Sequence, residues 1–213
     1  MKLIEKVASA TLPDDVGYAW SGVSYQQAEA SGSGLATYLL ALVFVFLALA
    51  ALYNSWGLPL AILMSVPVAV VGALVAMLLA HLASAHYVND IYMQISLVML
   101  IGLAAKNAIL VVEYADKIYF SSPEVSLLEA SMAAAKERVR PIIMTAMAFI
   151  LGVMPLVFAS GLYSTARNVM GVALVGGMVL VTIVGIFLYP ATYYLVAKMG
   201  GFEKLKAKGV KLQ

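Results

Sequence analysis

The chain has 213 residues, 63% of them hydrophobic and 11% charged, with a formal net charge of +2 and no cysteine. Soluble domains run about 45–50% apolar and about 25% charged, so this composition excludes an ordinary water-soluble globule and a disordered chain alike. The small net charge argues against a nucleic-acid partner, and the missing cysteines exclude a disulfide framework, a thiol nucleophile and a cysteine-ligated metal.

Residues 1–34 read as a stub outside the membrane. Residues 2–10 fit a short amphipathic helix with Leu3, Ile4 and Val7 on one face. Val16, Tyr18 and Trp20 alternate as in a half-buried strand, which would need partner strands from elsewhere. Ser31, Gly32, Ser33 and Gly34 read as a flexible linker, so the stub is expected to be a small α/β piece. Residues 35–197 follow as a membrane domain with apolar runs at 35–53, 58–82, 91–112, 141–160 and 169–197. A hydrocarbon core of about 30 Å takes about 20 helical residues, so each run predicts a spanning helix. Between the third and fourth runs, Ser122, Pro123 and Glu124 look like a helix start, with a serine cap, a proline and an acid in the first turn. Val125, Leu128, Met132, Ala135 and Val139 then form one stripe. They predict a cytoplasmic helix over 122–139, lying on the membrane surface or on the helix ends and closed by Arg140 and Pro141. Residues 198–213 form a basic tail. Pro67, Pro155 and Pro190 predict kinks. Gly72 with Ala76 and Ala80, Ala104 with Ala108, and Ala173 with Gly177 predict faces of close helix approach.

With five spans, the loop over 113–140 and the C-terminal tail share one side and carry nine Lys and Arg residues; the other side carries Lys2, Lys6 and Arg167. The positive-inside rule then places the C-terminus in the cytoplasm and the N-terminus outside. Tyr53, Trp56 and Tyr92 suit the membrane interface. Tyr189, Tyr193 and Tyr194 suit either the interface or packing between helices.

One formal charge, Lys106, falls inside the five runs. A lysine at mid-membrane costs about 2.5–3.5 kcal/mol on insertion scales, which calls for a carboxylate partner or a watery path. Asp90 lies about 24 Å away along a helix and Glu113 about 10 Å, so neither is a close partner. The counter-charge is therefore expected on protein outside this chain. Asn107 adds an amide at the same depth, and Thr145 and Asn168 are candidate neighbours. A membrane threonine more often bonds its own helix carbonyl. Glu113 and Asp116, beside Lys117, read as a solvated face. His81, His86 and Asp90 lack a fixed ligand geometry for a metal. Met144, Met147 and Met154 read as core filling rather than a soft-metal path. No metal, cofactor or enzymatic chemistry is expected.

Several segments resemble the C-terminal part of resistance–nodulation–division transporters, in their hydrophobe/amphiphile efflux branch. They are residues 17–25 (GYAWSGVSY), 50–56 (AALYNSW), 101–113 (IGLAAKNAILVVE), 138–145 (RVRPIIMT) and 149–156 (FILGVMPL), and the likeness runs from Lys2 to Lys198. The resemblance implies the last five of twelve spans, preceded by the tail of a periplasmic porter domain. It implies a proton-driven antiporter of hydrophobic or amphiphilic substrates, a homotrimer in the inner membrane of a Gram-negative bacterium. A periplasmic adaptor and an outer-membrane channel would be its partners. It further implies a proton relay containing Lys106, Asn107, Arg138 and Thr145, with the aspartates that pair with Lys106 on the N-terminal part of the transporter. The chain is thus expected to be a fragment, split subunit or truncated product. A heavy-metal relative, which the Lys106-Asn107 pair and the carboxylate-free spans argue against, and a non-transporting membrane scaffold are the alternatives.

Overall fold

A backbone carried into hydrocarbon must hydrogen-bond within itself, so apolar runs of this length coil into helices. The computed structural model describes residues 2–13, 16–17, 19–22, 24–25, 34–53, 55–84, 87, 90–121, 124–161 and 164–200. The expectations at Ser31, Gly32 and Ser33, at Tyr18, at His86, at Ser122 and Pro123, and beyond Gly200 lie outside the described residues. In chain order the helices are α1 (Lys2–Thr11), α2 (Gly34–Tyr53), α3 (Gly57–Leu63), α4 (Val66–Ala83), α5 (Ile91–Ser121), α6 (Leu127–Val157) and α7 (Ser164–Met199). Among the described residues four stretches are long and apolar enough to cross a membrane: Gly57–Ala83, Ile91–Ser121, Leu127–Val157 and Ser164–Met199. Tyr38–Tyr53 is a shorter apolar helix. The architecture is that of an all-α membrane protein.

α1 forms, yet its apolar face stays open at Ile4 and Val7. No strand occurs among the described residues, Val16 and Trp20 included. Among the described residues there is no ladder for Val16 and Trp20 to join, and a lone strand is not stable without one. Instead Trp20 donates its indole N–H to Glu5 Oε1 at 3.2 Å, folding the segment back on α1.

The predicted run at 58–82 is interrupted. α3 ends at Leu63, Met64 and Ser65 form a turn, and α4 restarts at Val66 with Pro67 at its second position. Proline lacks an N–H and tolerates only the first turn of a helix, so the kink expected at Pro67 becomes a restart just before it. Buried Ser65 caps the interruption by donating its hydroxyl to the Ile62 carbonyl at 2.7 Å.

The helix predicted over 122–139 and the span predicted over 141–160 are one rod. α6 begins after Ser126 and runs unbroken through Arg140 and Pro141 to Val157. Its start is a capping box: the Ser126 hydroxyl accepts from the Glu129 N–H at 3.3 Å, and the Ser126 N–H donates to Glu129 Oε2 at 3.0 Å. Its packed face also differs from the expected stripe. Leu127, Ala130, Ser131 and Ala134 are buried, while Leu128 and Met132 stay 52% and 63% exposed. Small side chains let α6 lie close on the end of α5, where Leu127, Ala130 and Ala134 share a core with Ala115 and Tyr119.

The most extensive contact joins α4 to α7. A Cβ on Gly72 would lie 2.6 Å from the Leu180 Cβ and 2.8 Å from the Gly176 carbonyl oxygen. A Cβ on Gly176 would overlap that of Ala76. Glycine is required at this crossing because the two backbones touch. The predicted small-residue face at Gly72 and Ala76 therefore meets its partner, with Gly177 beside it against Leu100. Two cores result. One gathers Ala69, Ala73, Leu100, Ala173 and Val181; the other gathers Ile62, Ala108, Val112, Tyr189 and Tyr193 toward the end rich in basic residues.

Candidate functional site

Lys106 is the central residue of α5, fifteen residues from each end of the helix. Helical periodicity sorts the faces of α5 cleanly. Ala104, Ala105, Asn107, Ala108, Val111 and Val112 are buried against the other helices. Ile95, Met99, Gly102, Lys106, Glu113 and Lys117 are exposed, at spacings of four, three, four, seven and four. These positions fall on one narrow stripe, so the chain wraps α5 on every side but one. Lys106 opens onto that seam, and among the described residues no carboxylate pairs with it.

The neighbouring side chains fall into two groups. Asn107 is 1% exposed, and its amide nitrogen has no hydrogen-bond partner among the described residues. Arg138, from α6, lies with its guanidinium carbon 4.5 Å above the Tyr114 ring of α5, and its buried Nε is likewise unpartnered. An arginine over an aromatic face gains about 0.5–2 kcal/mol and is held in a fixed plane. Thr145 donates its hydroxyl to the Ile142 carbonyl at 3.0 Å, the local bond expected of a membrane threonine, and its side chain sits on an exposed face. Arg138 and Thr145, seven residues apart, share one side of α6. No hydrogen bond among the described residues joins Lys106, Asn107, Arg138 and Thr145 to one another. The helices that carry them, α5 and α6, pack against each other.

Other expectations resolve individually. Asn168 lies in the first turn of α7 and lines a notch with Ser84, Tyr87, Ser164 and Thr165, at the end of α5 remote from Lys106. It is therefore no neighbour of the lysine. Tyr189 and Tyr193 are wholly buried, so they pack between helices; Tyr194 stacks beneath the Lys198 ammonium at 5.6 Å. Trp56 is 73% exposed, as an interfacial residue would be. His81 sits 2.9 Å from the Tyr87 carbonyl, and Asp90 accepts the Met93 N–H at 3.0 Å at the start of α5, so both have structural tasks. Met144 and Met147 are exposed on α6 and do not fill this core, contrary to expectation.

Two features were not foreseen. Tyr114 had no sequence signal, because only the folded chain puts it beneath Arg138. Asp116 read as part of a solvated face with Glu113. Glu113 is indeed exposed, but Asp116 is half-buried and accepts a hydrogen bond from the Tyr193 hydroxyl at 3.4 Å.

Long apolar helices, one of which carries a lysine at its midpoint, define a helical membrane protein with a charge within an apolar span. Residues 1–197 match the AcrB/AcrD/AcrF family. The chain is 46% identical over 187 residues to multidrug resistance protein MdtF of Escherichia coli, covering 88% of this chain and 18% of that protein. It is 42% identical over 205 residues to the toluene efflux pump membrane transporter TtgB of Pseudomonas putida, covering 96% and 19%. It is 41% identical over 198 residues to multidrug export protein AcrF of E. coli, covering 93% and 18%. The chain belongs to the AcrB/AcrD/AcrF family of resistance–nodulation–division transporters. It spans about a fifth of the length of these relatives.

Proposed function

We propose that this chain is the lysine-bearing segment of a proton-driven multidrug efflux transporter. Five spans cross the inner membrane of a Gram-negative bacterium: α2, α3 with α4, α5, α6 and α7. The basic end, with Lys117, Lys136, Arg138, Arg140 and Lys198, faces the cytoplasm. The complete transporter works as a homotrimer with a periplasmic adaptor and an outer-membrane channel and exports hydrophobic or amphiphilic compounds.

The observation that carries this reading is Lys106 alone in the seam of α5. A cation held there attracts deprotonated carboxylates on the remaining part of the transporter. Protonating them removes the attraction, so the two protonation states favour two packings of α5 against its neighbour. Arg138 and Thr145 share one side of α6, which packs on α5, and Asn107 lies on the buried face of α5 next to the lysine. The proton gradient supplies the energy, with about 2.3 kcal/mol per charge per 100 mV from its electrical part. The relatives' names mention multidrug and toluene efflux, which favours organic substrates over heavy-metal ions.

The test is Lys106→Ala in a chimaera in which this chain replaces the matching segment of MdtF. Proton-coupled dye efflux is expected to fall by about 100-fold or more at unchanged expression. Full activity would remove the lysine from the mechanism. The chain alone, reconstituted in liposomes, is expected to move neither protons nor dye; a non-transporting scaffold would leave the chimaera silent as well.

A further inference from the structure

A carboxylate half-buried beside a membrane-embedded relay is costly unless it is paired with a cation or has something to do. Asp116 lies ten residues beyond Lys106 on α5, about 15 Å nearer the basic end. The groups around it are Tyr193 of α7, Tyr53 of α2, and Tyr119 and Glu113 of α5 itself. Among the described residues none of these is a cation and no basic side chain pairs with Asp116. Its one hydrogen-bond partner is the hydroxyl of Tyr193, a residue with no exposed surface.

A phenol suits a carboxylate whose proton comes and goes. The hydroxyl donates to the ionised form and accepts from the protonated form, so either state is satisfied without repacking. A lysine or arginine in the same place would hold the carboxylate permanently ionised. Glu113, one turn away on the open stripe, is exposed to solvent and gives a charged exit toward water.

Resting on the transporter reading above, we propose that Asp116, capped by Tyr193, is a proton-carrying site on the cytoplasmic side of the Lys106 relay. A proton borne by water leaves the relay and forms an O–H bond on the Asp116 carboxylate as the donor's O–H bond breaks. Tyr193 changes from hydrogen-bond donor to acceptor. The same proton then passes to cytoplasmic water, which restores the carboxylate and the original hydrogen bond. No electrons move and no other reactant is consumed.

The experiment uses the MdtF chimaera in proteoliposomes, with dye efflux and proton flux followed as the pH on the cytoplasmic side is varied. Lys106→Ala runs alongside. Asp116→Asn, which keeps the shape and removes the exchangeable proton, is expected to lower proton flux at least about tenfold at every pH. Asp116→Glu is expected to recover most of it. Tyr193→Phe keeps the buried ring and removes the donor to the ionised carboxylate. It is expected to leave the maximal rate within about twofold and move the pH midpoint up by about half a unit. If Lys106→Ala is inactive while Asp116→Asn and Tyr193→Phe keep the parental flux and midpoint, this site is overturned and the relay reading stands. If Lys106→Ala is active, the relay reading itself fails. Should Asp116→Asn not fold, Tyr193→Phe decides: an unshifted midpoint in that variant overturns the proposal.

Discussion

α5 and α6 are equally long, 31 residues each, and similarly apolar, yet the chain treats them in opposite ways. In the most apolar stretch of α5, 56% of residues are buried inside the chain, against 11% for α6. α5 is enclosed except along one seam, and that seam holds the lysine. α6 is an outer helix, attached by small side chains at its first turns and by Ile142 and Ala146 further on. Exposed Ile143, Met144, Met147 and Leu151 leave the rest of it to lipid or to other protein. The contrast teaches that hydrophobicity measures compatibility with the membrane, whereas burial within the chain shows which helix its neighbours enclose. The one charge within the apolar runs lies on the helix whose apolar stretch is the most buried.

Substitutions at matched depth can break that contrast. Ala108→Leu adds volume at a wholly buried position of α5. It is expected to cost about 1–3 kcal/mol, read as a fall in the thermal stability of the chimaera in detergent. A neutral result would mean that α5 is not tightly packed. Next in size comes the contact between the two helices. Tyr114→Leu removes the face beneath Arg138 and is expected to lower efflux about threefold to thirtyfold, the equivalent of about 0.5–2 kcal/mol. Tyr114→Phe is expected to retain parental efflux. Equal losses in both variants would assign the effect to the hydroxyl rather than the ring. The smallest effect is expected at Leu151→Ala on the open side of α6, within about 0.5 kcal/mol of the parent by the same thermal measurement. A loss as large as that of Ala108→Leu would show that α6 is covered by protein in the complete transporter.

The helical runs and the isolated lysine were legible in the sequence because both are local facts. A stretch of apolar side chains has one structural solution in lipid, and a lone charge within it needs no neighbour to be noticed. The continuity of α6 was hidden by competing local signals. Ser122-Pro123-Glu124 looks like one helix start and Arg140-Pro141 like a boundary, yet Ser126 and Glu129 cap a helix that runs through both. Packing against α5 outweighs one missing N–H at Pro141. The stripe from Leu128 to Val139 misled for a related reason: in a membrane chain the close-packed face is marked by small residues, and large apolar ones are free to face outward. Within the candidate site, Lys106 and Thr145 behave as their residue types suggest. The burial of Asp116 was illegible because it depends on Tyr193, 77 residues further along the chain.

The glycine crossing of α4 and α7 bears on how such a site could move anything. Where side chains separate two helices, rotamer changes let one slide or tilt against the other. At Gly72 and Gly176 backbone meets backbone, and that slack is missing. α4 and α7 therefore form a single stiff plate, and the chain has fewer moving parts than helices. At Gly171 of α7 the backbone likewise meets that of α6 at Val157, so a displacement begun at Lys106 is more readily spent across the open seam than absorbed in the middle of the bundle.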